Sequence, residues 1–339
     1  MGCLGNAGTQ EKSSSENYIL AEFKIGEDQL EEEQIIYNPI NNVVHRAENQ
    51  EDVNRELREC ELEIDGEKID FVADYKFPRV GIYTIKYTFK KPLIDTSSLF
   101  FYCQFLTKID LSHFQGHKLK IARDMFGGGC ELLQSINLSN LTLENITDMR
   151  GMFASCRSLK SVDLSNLKAK KVENIADLFG ACSSLQSVNL SNFNSENVTD
   201  MSGLFSSCIS LKSVDLSGFN TKNVTNMKEM FNACEALESI NLNNFDTSNV
   251  KNMGSMFADC FLLKEINLSN FNTQKVEEMA FMFTGCKNLI KVNLSRFKIS
   301  KNTKTNGMFY ECPKLQKGNI ITNEKSIFEE YEKNNLESF

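Results

Sequence analysis

The chain lacks several sequence features that mark membrane proteins, zinc proteins and nucleotide-binding enzymes. Its 339 residues contain no apolar run of about 18 residues, so we expect no transmembrane helix. There is no CxxC pair of cysteines, and the usual ligand spacing of a zinc site is therefore absent. There is no Walker sequence either, because the glycine run 127–129 is not followed by lysine.

Histidine and clustered basic residues are also scarce. The three histidines are His45, His113 and His117, and no set of nucleophile, base and acid emerges around them. We therefore expect that the protein is not an enzyme and that it uses no metal and no other cofactor. The net charge is −8, and residues 1–100 alone carry 20 acidic and 11 basic residues. A nucleic-acid-binding protein would show a basic stripe, so we expect no nucleic-acid partner.

What the chain does contain is a strict internal repeat marked by cysteine. Nine of the 11 cysteines recur at intervals of 26 residues, except for one interval of 27 that holds an extra glycine. They are Cys103, Cys130, Cys156, Cys182, Cys208, Cys234, Cys260, Cys286 and Cys312. A fixed period in this range predicts a stacked array. We expect buried, reduced thiols, because a small buried hydrophobe suits one column of such an array.

Each unit combines two periodicities. Residues 213–217 alternate between polar and apolar, which predicts a short strand with one buried face. Residues 224–234 place Val, Met, Met, Phe and Cys at i, i+3, i+6, i+7 and i+10, which predicts a short helix. Residues 220–223 have turn chemistry. The predicted fold is an α/β solenoid, an array of about eight strand/short-helix units of 26 residues in which each column becomes a ladder.

The repeat resembles the BspA-like leucine-rich repeat, including the variant named for mycoplasma surface lipoproteins. The shared pattern is L-S-x-F-N-T-x-N-V-T-N-M-x-x-M-F-x-x-C-x-x-L-x-x-[IV]-[ND], and residues 216–242 match it nearly letter for letter. The resemblance covers about residues 99–315. It implies a right-handed solenoid with a parallel sheet on one side. Members of that family are mostly surface adhesins or uncharacterised microbial proteins, so the resemblance implies a shared scaffold and not one shared chemistry.

We predict four segments along the chain. Residues 1–16 are a disordered N-terminus suited to lipid anchoring, and residues 17–95 are a small β-rich domain that caps the array. Residues 96–315 are the repeat array, and residues 316–339 are a C-terminal cap helix or tail. Caps are expected because an open array must cover its apolar ends.

The first six residues resemble an N-myristoylation signal. Gly2 would be the myristate acceptor and Cys3 a neighbouring palmitoylation site, although Asn6 stands where Ser or Thr is usual. One acyl chain binds membranes only marginally, so stable anchoring requires both residues. The alternative is an unmodified, flexible N-terminus. No basic region and no apolar segment follow Met1, so we expect no secretory signal.

The residues that point outward from the predicted strands form the candidate binding face. The seventh residue after each cysteine is always Asp or Asn, and the neighbouring columns are mostly Ser. One interpretation is a stacking device, in which polar ladders hydrogen-bond along a parallel sheet. The other is a polar concave face that contacts a protein partner. The candidate binding residues are Asp110, Asn137, Asp163, Asn189, Asp215, Asn241, Asn267 and Asn293.

From these features we expect a non-catalytic protein-interaction scaffold. We expect it to be a monomer in the cytoplasm and, with Gly2 and Cys3 acylated, to lie at the inner face of a membrane. The alternative function is a cell-surface adhesin of the BspA-like type, located at the cell surface.

Overall fold

The computed structural model describes residues 16–37, 57 and 59–336. Both lipidation candidates, and residues 1–15 of the predicted disordered N-terminus, lie outside the described residues. The strands of the N-terminal region are β1 (Tyr18–Ile25), β2 (Gln34–Ile35), β3 (Glu61–Ile64), β4 (Glu67–Ile69), β5 (Asp74–Tyr75) and β6 (Gly81–Thr88). The later strands are β7 (Leu106–Asp110), β8 (Ser135–Asn137), β9 (Ser161–Asp163), β10 (Ser187–Asn189), β11 (Glu265–Asn267), β12 (Lys291–Asn293) and β13 (Ile320–Ile321). A helix, α1, spans Lys325–Leu336.

The N-terminal strands and the first repeats share one sheet, with the strand order β4-β3-β6-β1-β7-β8. Alternate residues of β1 are buried because the strand places every second side chain on the core face. The turn between β3 and β4 is Asp65-Gly66, and both residues have positive φ, as a two-residue hairpin turn requires. Strand β1 pairs antiparallel with β7, and β7 pairs parallel with β8. The sheet therefore changes from antiparallel to parallel where the repeats begin.

Parallel strands in register form the first wall of the repeats. Val188 lies opposite Val162, and Asn189 lies opposite Asp163, so residues of one sequence column pair with each other. The same register joins β11 to β12. Residues 213–215 and 239–241 occupy the same columns without a strand assignment.

The second wall of each unit is not the short helix that the spacing of residues 224–234 predicts. The backbone N–H groups of Met227, Glu229 and Phe231 each donate to a carbonyl of the next unit, at 2.9 Å. An α-helix would use these groups for its own carbonyls four residues back. In addition, Glu229 and Ala233 have φ values of +57° and +54°, which lie outside the helical region. The wall is therefore a series of turns, linked between units by a parallel ladder of single bridges.

A column of phenylalanine rings fills the core between the two walls. The rings stack with centroids 5.5–5.8 Å apart and interplanar angles of 4–13°. Tyr87 contacts the first ring edge-on and Tyr331 contacts the last. Phe231, predicted as a buried rung, is fully buried. The stacked residues are Phe100, Phe126, Phe153, Phe179, Phe205, Phe231, Phe257, Phe283 and Phe309.

The cysteine column runs beside the rings, and the prediction of buried free thiols is confirmed for all ten described cysteines. Most thiols of the column donate to the carbonyl of a phenylalanine in the preceding unit, as Cys234 does to Phe205 at 3.1 Å. Burial raises the pKa of Cys182 to about 12. The thiols are therefore protonated at neutral pH and act as small buried donors.

The C-terminal helix α1 closes the open edge of the second wall. The last unit has no following unit to accept its N–H groups. Instead, Gly307 N–H donates to Glu330 Oε1 at 2.8 Å, and Phe309 N–H donates to Asn334 Oδ1 at 3.0 Å. Both acceptor side chains are buried. These two side chains of α1 thus take the place of the carbonyls that a further repeat would supply.

Candidate functional site

The predicted Asp and Asn column lies on the exposed face of the first wall, which we call the strand face. Strand residues alternate between the two faces of a sheet, so each column member projects away from its buried neighbours. Six of the eight residues are exposed, and Asp110 and Asn293 are half-buried. The structure therefore brings all eight residues onto one surface in successive units.

Each of these eight side chains forms the same local hydrogen bond. Its Oδ1 accepts the backbone N–H of the residue two positions later, for example Asp163 from Ser165 at 2.9 Å and Asn189 from Ser191 at 3.2 Å. This is an Asx turn, and it ends each strand. The same bond occurs at Asp110, Asn137, Asp215, Asn241, Asn267 and Asn293.

One part of the stacking interpretation is visible at the start of the column. Asn137 Nδ2 donates to Asp110 Oδ1 of the preceding unit at 3.1 Å. Further along, the Nδ2 groups of Asn241 and Asn267 have no hydrogen-bond partner among the described residues. The column therefore combines a structural hydrogen bond through Oδ1 with exposed amide donors that a ligand can reach.

The carboxylates of the column are held in their ionised form. The hydroxyl and backbone N–H of Ser165 lower the pKa of Asp163, and those of Ser217 lower the pKa of Asp215. For Asp110, burial opposes ionisation, but hydrogen bonds from Ser112 and Asn137 outweigh it and lower the pKa. The three aspartates, in the first, third and fifth rows, therefore remain negative at neutral pH, whereas the last three rows carry neutral amides.

Exposed serine hydroxyls lie beside the Asp and Asn column on the strand face. They come two residues before it in five successive units, at Ser135, Ser161, Ser187, Ser213 and Ser239. Charged residues replace them at the ends of the array, at Lys108, Glu265 and Lys291. The serine column of the strand face is consequently uniform in the central units, and charged residues take its place at the ends of the array.

Sequence reasoning missed a second polar column on the turn wall. Asn226 Oδ1 accepts Lys228 N–H at 3.1 Å, and Asn252 Oδ1 accepts Gly254 N–H at 2.9 Å, so this column also forms Asx turns. The signal in the sequence was the Asn, Asp or Glu that precedes the first buried methionine of a unit, as in Asp200-Met201, Asn226-Met227 and Glu278-Met279. It was overlooked because the segment was interpreted as a helix.

Buried threonines make a third set of contacts between units. Thr221 Oγ1 accepts the N–H of Asp246 at 2.8 Å and donates to its carbonyl at 3.0 Å. Thr247 and Thr273 repeat this arrangement in the next units. Each hydroxyl thus joins two consecutive units by two hydrogen bonds.

Two further properties concern the described residues alone. They contain no group of three or more His, Cys, Asp or Glu side chains that could hold a metal ion. None of their helices has the length and apolar character needed to cross a membrane.

A model of one protein family matches the repeats. It is described as "Mycoplasma protein of unknown function, DUF285", and it matches residues 94–214, 147–264 and 227–334. The chain belongs to this DUF285 family. The three DUF285 matches together take in the stacked units and most of α1, and they leave out strands β1–β6, so the family is defined by the repeats. Neither a search of curated proteins nor one of solved structures found a match.

Proposed function

We propose that this DUF285 chain is a non-catalytic protein-interaction scaffold. In this proposal the stacked repeats form a leucine-rich-repeat solenoid of the BspA-like type, and the strand face binds a protein partner. The proposal is supported by the repetition of one exposed Ser and Asx pattern in consecutive units above a fully buried core.

The observation that carries the proposal is the Asx turn made by every member of the column. Because Oδ1 is fixed by a backbone hydrogen bond, each side chain is already ordered before a partner binds. Ordering side chains costs free energy on association, and prior ordering lowers that cost. The strand face therefore offers several pre-positioned polar groups to a partner.

The composition of the strand face indicates the kind of partner that it suits. The centre of the face has no aromatic side chain, and such side chains dominate tight protein interfaces. Binding would therefore be spread over many polar contacts, with a partner that supplies hydrogen-bond donors and acceptors in several successive rows. Such an interface is expected to be of moderate affinity.

The strand face can be tested by adding bulk and charge without removing an Asx turn. The full chain and its Ser187→Lys, Ser213→Lys double variant would be used as baits in native lysates, and captured proteins identified by mass spectrometry. A matched control, Ser248→Lys with Gln274→Lys, adds the same charge at turns outside the strand face. We expect a protein captured by the wild type and the control to be lost with the double variant. Equal capture by all three baits would contradict the proposal.

The proposal includes attachment to the inner face of a membrane through Gly2 and Cys3. Two acyl chains are sufficient for stable anchoring, whereas one is not. In cell fractionation, wild type should be in the membrane pellet, Gly2→Ala should be soluble and Cys3→Ser should be partly released. A wild-type protein that is already soluble would contradict the anchor.

The second candidate function is a cell-surface adhesin of the BspA-like type. It is favoured by the resemblance of the repeats to BspA-like surface proteins. Protease treatment of intact cells separates the two functions. Digestion of the repeats on intact cells would support the adhesin, and protection until the cells are lysed would support the internal scaffold.

A further inference from the structure

One backbone position of the turn wall is left-handed in every unit of the described array, and one unit places an aromatic residue there. The position has φ values between +48° and +67°. Eight units have Gly, Ser, Asp or Glu at this position, and the remaining unit has Phe281. The residues are Ser98, Asp124, Gly151, Asp177, Gly203, Glu229, Ser255, Phe281 and Gly307. A bulky side chain with positive φ is an outlier, and such strained residues are concentrated at functional sites.

The ring of Phe281 is held in place by the next unit and is also open to solvent. A Cβ at Gly307 would lie only 2.5 Å from Cδ1 and Cε1 of this ring, so the absence of a side chain at Gly307 makes room for it. The side chain of Phe281 is nevertheless 45% exposed. Backbone strain and an exposed apolar ring both oppose stability, and binding of a ligand therefore explains this residue better than packing does.

Two cavities adjoin at the ring of Phe281. One, of about 520 Å³, extends along the turn wall from Lys228 to Asn306. The other, of about 410 Å³, extends from the ring to Lys333 on α1. Phe281 and Asn306 line both cavities, and we therefore call the two together the turn-wall groove. The first cavity alone crosses four units, a length of about 14 Å at about 4.8 Å per unit.

The turn-wall groove also contains a second aromatic side chain and a neutral amide. Tyr310 is 39% exposed and lines the cavity beside α1 together with Phe281. The side chain of Asn306 is exposed and has no hydrogen-bond partner among the described residues. An aromatic face offers an apolar surface for stacking, whereas an amide both donates and accepts hydrogen bonds. The groove therefore suits a ligand that is apolar on one face and rich in hydroxyl groups at its edge.

The charges that line the groove balance one another. In the first cavity, Lys228 Nζ lies 2.9 Å from Glu229 and Lys304 Nζ lies 3.1 Å from Glu278. These two lysines and two glutamates are the charged residues that line it. The second cavity is lined by one residue of each sign, Glu330 and Lys333.

This balance of charge limits the ligands that the groove suits. Paired charges attract neither a strongly anionic nor a strongly cationic ligand, because recognition of such ligands depends on an opposite potential. The groove therefore favours a neutral polar ligand, for which the ion pairs supply hydrogen-bond donors and acceptors.

We propose that the turn-wall groove binds a neutral oligosaccharide, with one sugar ring stacked on Phe281. A sugar ring has a face of C–H bonds that packs on an aromatic ring, and its hydroxyl groups both donate and accept hydrogen bonds. Asn306 and the ion-paired side chains supply partners for those hydroxyls. The length of the groove suits several linked sugars and not only one. The site is separate from the strand face and adds a ligand that the proposed protein-interaction scaffold does not include.

A peptide is the competing occupant, and the backbone of the groove does not suit it. An extended peptide binds by adding a strand to a free backbone edge. The N–H groups of Ser255 and Phe281 already donate to the carbonyls of Ala280 and Asn306 in the next units, each at 2.9 Å. The groove is therefore recognised as a surface of side chains, which favours stacking and hydroxyl contacts.

The first measurement is calorimetric titration of the full chain with defined sugars. The neutral probes are the tetrasaccharides of β-linked glucose, β-linked N-acetylglucosamine and mannose, and the anionic probe is a heparin tetrasaccharide. We expect at least one neutral tetrasaccharide to bind, more tightly than its monosaccharide. Its affinity should change little between about 0.1 M and about 1 M salt, because no net charge is involved. Absence of binding by every neutral tetrasaccharide at millimolar concentration, or binding of the heparin probe alone, would overturn the proposal.

Substitution of the ring then tests where the sugar binds. Phe281→Gly removes the ring and suits the left-handed backbone, since Gly occupies this position in other units. It should weaken binding by about tenfold or more, whereas Phe281→Tyr, which keeps a stacking ring, should bind like the wild type. Tyr310→Ala, at the second aromatic residue, should also weaken binding. Binding by Phe281→Gly and Tyr310→Ala that equals that of the wild type would refute the site.

The matched control is Tyr102→Gly. Tyr102 is 49% exposed and has φ +64°, but it lies in the first unit, outside the turn-wall groove. This variant should bind the sugar like the wild type. An equal loss of binding in Tyr102→Gly and Phe281→Gly would show that the effect is not specific to the groove, and would overturn the proposal.

Two further measurements separate this proposal from its alternatives. A peptide library would be screened against the wild type and Phe281→Gly. If no neutral tetrasaccharide binds, but a peptide binds the wild type and not Phe281→Gly, the groove takes a protein partner and the carbohydrate proposal is wrong. The strand-face variant, Ser187→Lys with Ser213→Lys, should bind the sugar like the wild type. Failure of the strand-face capture and failure of sugar binding are therefore distinguishable results.

Discussion

At the scale of single residues, one phenylalanine per unit determines the packing of the core. Phe231 lies between Phe205 and Phe257, with its centroid 5.8 Å and 5.6 Å from theirs, and its side chain is fully buried. Near-parallel stacking at this spacing lets each ring contact only its two neighbours. The loss of one ring should therefore destabilise mainly the adjacent units.

Phe231→Ala is expected to cost about 3–5 kcal/mol, through lost transfer free energy and the cavity that remains. Hydrogen exchange should accelerate in the units on either side of residue 231. The control is Phe281→Ala, because Phe281 is 45% exposed and its loss should cost less than the loss of the fully buried Phe231. Unchanged exchange around residue 231 would contradict the ladder.

A second feature at the scale of single residues is the left-handed backbone conformation, which recurs at corresponding positions of successive units. Gly203 has φ +60°, and a Cβ there would lie 2.0 Å from Asp177 Oδ1 of the preceding unit. Gly203→Ala should therefore destabilise the protein by about 1–3 kcal/mol. Gly218→Ala is the matched control, since its Cβ would meet nothing nearer than 3.7 Å. Adding Asp177→Ala to Gly203→Ala should restore only part of the lost stability, because it removes the steric clash and leaves the backbone strain. Equal melting temperatures for Gly203→Ala and Gly218→Ala would contradict this account.

At the scale of elements, the helix α1 acts as a terminal cap for the turn wall. Glu330 and Asn334 accept hydrogen bonds from the N–H groups of the last repeat, which the carbonyls of a further repeat would otherwise accept. Asn334 Nδ2 also donates to Glu330 Oε1 at 2.8 Å. The cap therefore depends on two side chains one helical turn apart, which lie on the same face of the helix.

Glu330→Ala should leave the partly buried N–H of Gly307 without its acceptor, and Asn334→Ala the buried N–H of Phe309, at a cost of about 1–3 kcal/mol each. The amides of Gly307 and Phe309 should then exchange faster than in the wild type. Glu329→Ala is the control, because Glu329 is exposed and pairs only with Lys325, 3.9 Å away. Protection of both amides in the capping variants would show that α1 does not cap the wall.

At the scale of the whole molecule, the described repeats form one core without a disulfide between units. The described cysteines are free and buried, and burial raises their pKa, to about 12 at Cys130 and at Cys312. A thiol must ionise before it reacts, and the same burial denies access to reagents.

Native protein should therefore react with few equivalents of a thiol reagent, and denatured protein with nearly all 11 cysteines. Because raised pKa values disfavour the thiolate, this protection should persist while the pH rises to about 9. Disulfides between neighbouring units, found by mass spectrometry in material kept non-reducing from lysis, would contradict the result.

The sequence by itself determined the repeat, its length and the identity of the buried columns. These follow from the spacing of apolar residues, since Val224, Met227, Met230, Phe231 and Cys234 are all buried as the pattern predicts. It also determined which residues share the strand face, because strands alternate their side chains.

Tertiary structure decided the backbone of the second wall. The helical spacing of Val224–Cys234 was correct for the side chains and wrong for the main chain, because the N–H groups bond to the next unit and not to their own turn. That choice depends on contacts 25 residues apart, which local spacing does not encode. The local sequence does not indicate the left-handed positions either, since non-glycine residues such as Glu229 and Ala233 occupy many of them. Stacking makes these conformations favourable, because only the assembled array supplies the partners for their hydrogen bonds.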